Sequence, residues 1–98
     1  MVKHMIIWKL KDDIADKAAY SLQIKEALEG LLGKIDGLLE MHIMKDGLPS
    51  STGDLMMDSI FESADALAAY AKHPLHVAVA DGLVRPAVSS RAAFDYEI

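Results

Sequence analysis

The chain has no cysteine, which excludes disulfides, thiolate metal sites and thiol nucleophiles together. It also lacks any basic run, and its formal net charge is −5, so a nucleic-acid partner is not expected. Its unbroken apolar stretches, such as Met5-Ile6-Ile7-Trp8 and Ala66 to Ala71, fall far short of the roughly 20 residues a spanning helix needs. No membrane span is expected. Met1-Val2-Lys3-His4 shows neither the apolar core nor the small-residue cleavage site of a signal peptide, which makes the cytoplasm the expected location. Repeats, linkers and low-complexity segments are absent as well, and 98 residues make one domain spanning 1–98.

What the chain does have is apolar surface. Hydrophobic residues make up 52% of it, and its mean hydropathy is +0.18. A chain this short buries a smaller fraction of its surface than a large one. The excess has to be covered by something else, and a second copy is the expected cover.

Hydrophobic periodicity divides the chain into six elements. From Val2 to Leu10 the residues alternate, with Val2, His4, Ile6, Trp8 and Leu10 on one face and Lys3, Met5, Ile7 and Lys9 on the other, which predicts a strand. The second face is apolar at its centre, as expected of a sheet covered on both sides. From Asp13 to Leu32 the period changes to three and four, with Tyr20, Ile24, Ala27, Leu28, Leu31 and Ile35 recurring. That spacing predicts an amphipathic helix, with Asp12, Asp13 and Asp16 at its start and Gly33 as its stop.

Alternation returns over Leu39–Asp46 and Asp54–Glu62, on either side of the loop Gly47 to Gly53, and predicts an antiparallel pair. Ser63 is placed to cap a short helix carrying Leu67 and Tyr70. Pro74 breaks that helix at His73 and can open a new one, which runs to Arg85-Pro86. Ala92 to Ile98 reads as a last strand, with Phe94, Tyr96 and Ile98 on one face. The order β-α-β-β-α(broken)-β predicts an α+β, ferredoxin-like sandwich: a four-stranded antiparallel sheet with its helices on one face. The other face, with Met5, Ile7, Met56 and Ile60, is the expected homodimer surface.

The only dense group of proton-handling side chains is Tyr70-Ala71-Lys72-His73-Pro74-Leu75-His76. His4, on the strand face shared with Ile6, Trp8 and Leu10, can approach it if that face meets the helices. A neutral imidazole is the natural base near neutral pH, and a tyrosine stays protonated and donates. His76 would sit in the first turn after Pro74, where the helix dipole disfavours imidazolium. Tyr70 and His76 are thus the candidate catalytic pair, with His4, Ile6, Trp8 and His73 as candidate substrate-binding residues. The bland alternative is that these side chains satisfy local backbone groups at a core edge. No HExxH or other recognised ligand spacing is present, so no metal site is expected. His42 shares a face with Glu40 and Met44 and reads as a solvated or interface residue.

Val2-Lys3-His4, Ile6-Ile7-Trp8-Lys9-Leu10-Lys11-Asp12, Asp54-Leu55, Phe61-Glu62-Ser63, Tyr70 with His73-Pro74-Leu75-His76-Val77, and Phe94-Asp95-Tyr96 together resemble the stress-responsive dimeric α/β-barrel (Dabb) family. The resemblance covers essentially the whole chain, and Tyr-x-x-His-Pro-x-His is its most specific part. It implies a protomer whose sheet packs on a second copy's sheet to close a barrel with the helices outside. The family includes plant polyketide cyclases, which work by aldol condensation without a cofactor. Their tyrosine and histidine at the positions of Tyr70 and His76 act on substrate, and a strand histidine matching His4 lies near. Leu55-Met56-Met57-Asp58 departs from the cyclases, because it lacks the histidine they carry there.

Three readings follow. One is a cofactor-independent cyclase, isomerase or lyase acting next to a carbonyl on a small apolar or aromatic ligand. A second is a non-catalytic binding or stress-associated dimer module. The third is a monooxygenase of the wider dimeric-barrel superfamily, for which no haem is expected.

Overall fold

A computed structural model describes residues 1–98. Strand β1 (Val2–Leu10) is followed by helix α1 (Lys17–Glu29), strands β2 (Leu38–Met44) and β3 (Leu55–Phe61), helices α2 (Ala64–Lys72) and α3 (Pro74–Val79), and strand β4 (Val88–Glu97). A π turn (Ala80–Val84) and a 3₁₀ turn (Arg85–Ala87) join α3 to β4. The strands form one antiparallel sheet in the order β2-β3-β1-β4. The α+β, ferredoxin-like plan expected from the periodicity is the fold observed.

Element ends depart from the hydrophobic pattern where side chains intervene. Helix α1 starts at Lys17 and not at Asp13, because the Asp16 carboxylate accepts the Ala19 N–H and caps it there. It ends before Gly33, which lies in the following turns with φ +85. In β2 a register shift between Leu38 and Glu40 turns Leu38 inward and leaves Leu39 43% exposed, so Leu39 does not share the buried face of Met41 and Ile43. Strand β4 begins at Val88, four residues before the alternating segment.

The core lies between the sheet and the helices, where Leu10, Ile24, Leu28, Ile43 and Phe61 are at most 1% exposed. Gly37 enters β2 at φ +84, and a Cβ there would lie 2.6 Å from that of Ala66. Its bare backbone is what lets α2 close onto the sheet.

The two sheet edges differ. At β2, Ile43 N–H donates to Glu29 Oε2 (3.0 Å), and Lys25 Nζ donates to both Ile43 O (2.9 Å) and Glu29 Oε2 (2.8 Å). These two side chains occupy the edge groups that could otherwise pair with another strand. No such cover protects β4, where every residue after Val88 is exposed.

Candidate functional site

Antiparallel register decides which strand residues meet the helices. In β1, His4, Ile6 and Trp8 face them, and their β4 partners are Asp95, Ala93 and Arg91. Helices α2 and α3 stand over this part of the sheet but leave β4 open. The gap between them is a cavity of about 820 Å³. Ile6, Trp8, Leu28, Met57, Leu67 and Val84 form its apolar wall, and His4, Tyr70, His76, Arg85, Arg91 and Asp95 are its ionisable side chains.

Tyr70 and His76 come together because Pro74 breaks the helix between them. Their ring centroids are 4.1 Å apart at 34°. Phe61 supports the pair from below, 4.8 Å from the Tyr70 ring and 6.1 Å from His4. Five of the six expected site residues line the cavity: His4, Ile6 and Trp8 on the sheet, with Tyr70 and His76. His73 does not join them. Held extended by the following proline (φ −65, ψ 134), it ends α2 through its N–H to Tyr70 O (3.0 Å) and caps α3 through Nδ1, which accepts the Leu75 N–H (3.1 Å). Its place is a hinge, where its ring is committed to the backbone.

Tyr70 is 2% exposed, and its hydroxyl is buried with no hydrogen-bond partner. Leaving a buried polar group unpaired costs about 1–3 kcal/mol. Tyr20 shows the ordinary solution: its hydroxyl donates to Leu83 O at 2.6 Å. Burial also pushes the Tyr70 phenol far above its usual range, so it stays protonated.

Burial holds the half-buried His76 below the usual imidazole range. The positive Arg85 and the neighbouring His4 add to the effect, while the Ala71 carbonyl opposes it. The lowered basicity expected from the helix terminus is present, but burial is its leading cause. With Nδ1 3.3 Å from Ala71 O, the Nδ1–H tautomer donates there and leaves Nε2 as the free base.

Of the ionisable lining residues that escaped the sequence reading, Arg85 pairs with Asp81 and two lie on β4. Asp95 lies against His4 Nδ1, so a neutral His4 donates to the carboxylate and keeps Nε2 as an acceptor. Arg91 lies beside Trp8 in register. Both follow from the alternation of β4: with Phe94 and Tyr96 on the bare face, Asp95 must face the helices. No group of three or more His, Asp and Glu side chains is placed to hold a metal ion, and no helix is long and apolar enough to cross a membrane.

The family model described as the stress responsive A/B barrel domain (Dabb) matches residues 2–98. The chain belongs to this family. Among solved structures, a dimeric ferredoxin-like protein of unknown function from Bacteroides fragilis is 34% identical, with a TM-score of 0.89 over 99% of this chain and 95% of that one. A dimeric ferredoxin-like protein of unknown function from Thermobifida fusca has 22% identity and a TM-score of 0.85, covering 99% of this Dabb chain and 90% of its own. The hydroxynitrile lyase of Passiflora edulis has 18% identity and a TM-score of 0.82, covering 99% and 92%. At these last two identities the likeness is one of fold. No curated protein matches the chain.

Proposed function

We propose that this Dabb protein binds a small, largely apolar molecule between sheet and helices and moves a proton next to its carbonyl group without a cofactor. The observation that carries this reading is the Tyr70 hydroxyl: buried, protonated and unpartnered, beside an imidazole held neutral. A fold gains nothing from such a donor, whereas a ligand oxygen can use it.

In the proposed step, His76 Nε2 removes a proton from the carbon next to the carbonyl. The C–H electron pair forms the C=C bond, and the carbonyl π pair moves onto oxygen. The Tyr70 hydroxyl donates to that oxygen as its charge develops, in surroundings where the hydrogen bond is strong. His4, oriented by Asp95, offers a second acceptor on the same wall. Returning the proton to a different atom gives an isomerase; bond formation or cleavage at the enolate gives a cyclase or lyase. That the same fold serves a hydroxynitrile lyase is compatible with this range.

The working unit under this reading is a homodimer joined through the helix-free sheet face. Support comes from the apolar side chains there, Ile7 (48% exposed) and Phe94 (70% exposed) among them, and from relatives described as dimeric.

The test is deuterium exchange. With 4-phenylbutan-2-one in D₂O, followed by NMR, the protein should accelerate deuteration beside the carbonyl, and Tyr70→Phe and His76→Ala should each remove most of the acceleration. Exchange no faster than buffer, or unchanged in both variants, would overturn the proposal.

A further inference from the structure

The cavity has two chemically different ends. His4, Asp95, Tyr70 and His76 gather at one. Four residues along β4 from Asp95, at Arg91, the lining turns cationic, a displacement of about 13 Å at the usual strand rise. The chain has two arginines and eight lysines; both arginines line the cavity and no lysine does. Arg85 is already paired with Asp81. Arg91 has neither an ion pair nor a side-chain hydrogen bond, although the protein carries 15 acidic residues. In a chain of net charge −5, an unpaired guanidinium at the open side of an apolar cavity stands out. Its planar fork matches a carboxylate through two parallel N–H···O bonds.

We infer that the ligand is an organic acid, held by its carboxylate at Arg91 while an apolar chain along Trp8 and Ile6 brings a carbonyl to Tyr70 and His76. This rests on the proposed function and names its substrate class. Arg91 is then the residue that sets specificity for the acid, and the spacing of the two ends selects for chain length.

The probes are 7-oxooctanoate and 7-oxooctanamide, the same ketone with and without the charge. Binding is read from the NMR signals of the Trp8 indole and the His76 ring, independently of any exchange reaction. The wild-type protein should bind the acid roughly tenfold or more tightly than the amide, the scale of a charge-assisted pair. Arg91→Gln should abolish that preference by weakening the acid at least tenfold more than the amide, and Arg91→Lys should restore part of it. Equal binding of the two probes, or a preference that survives Arg91→Gln, would overturn the inference and leave the pocket reading intact. If neither probe shifts Trp8 or His76, both readings fall.

Discussion

On the helix side of β1, His4, Ile6 and Trp8 are 7%, 4% and 4% exposed. The residues between them look out from the other face, where Ile7 is 48% exposed and Phe94, on the neighbouring strand, 70%. The bare face joins apolar side chains to a polar margin, where Lys3 Nζ donates to Asp58 at 2.7 Å and His42 lies 3.8 Å from Glu40. The helix face combines an apolar wall with polar atoms that the fold leaves free. One pattern suits a surface that must be covered permanently, the other a surface that is covered and uncovered by a ligand. A strand's period of two is what lets the same nine residues present two such different faces.

The largest expected effect breaks the bare face. Ile7→Asp combined with Phe94→Asp places charge at the centre of the proposed interface. Light scattering should then report the mass of one 10.7 kDa chain where the wild type reports two. On the helix face, Phe61 is fully buried beneath Tyr70 and His4, and Phe61→Ala should cost about 3–5 kcal/mol in denaturant unfolding. His73→Ala removes a helix cap and should cost about 1 kcal/mol without altering ligand binding. Loss of binding in that variant would return His73 to the site.

A smaller effect depends on pH. Because the His76 pKa is lowered in the folded protein, the unfolded chain takes up the proton first as pH falls. Stability from this group is therefore complete above the ordinary imidazole value and declines as pH drops through about 6.5 toward the lowered folded value. His76→Gln should flatten that part of the stability profile, and the His76 NMR titration should have its midpoint below 6.5.

Much of this was legible in the sequence because it rests on periodicity. Alternation in Val2–Leu10 separated His4 and Trp8 from Met5 and Ile7, and Pro74 announced the break that pairs Tyr70 with His76. The missing parts depend on side-chain competition for backbone groups or on register. Asp16 sets the start of α1, a bulge at Leu39 reverses one inward position, and the His73 ring turns to the Leu75 N–H. Alternation in β4 could have turned Asp95 and Arg91 toward the helices, but only its register with β1 sets them beside His4 and Trp8. The unpaired hydroxyl of Tyr70 could not be read at all, because a missing partner is a fact of packing.

That hydroxyl is where the account is most exposed. The direct measurement is the thermal shift produced by 4-phenylbutan-2-one on the wild type and on Tyr70→Phe. Relief of an unpaired buried group predicts an unliganded melting temperature equal to or above the wild type's, with the ligand-induced shift lost. A lower melting temperature together with an undiminished shift would mean that the hydroxyl serves the fold, and would contradict the claim that it is kept for a ligand.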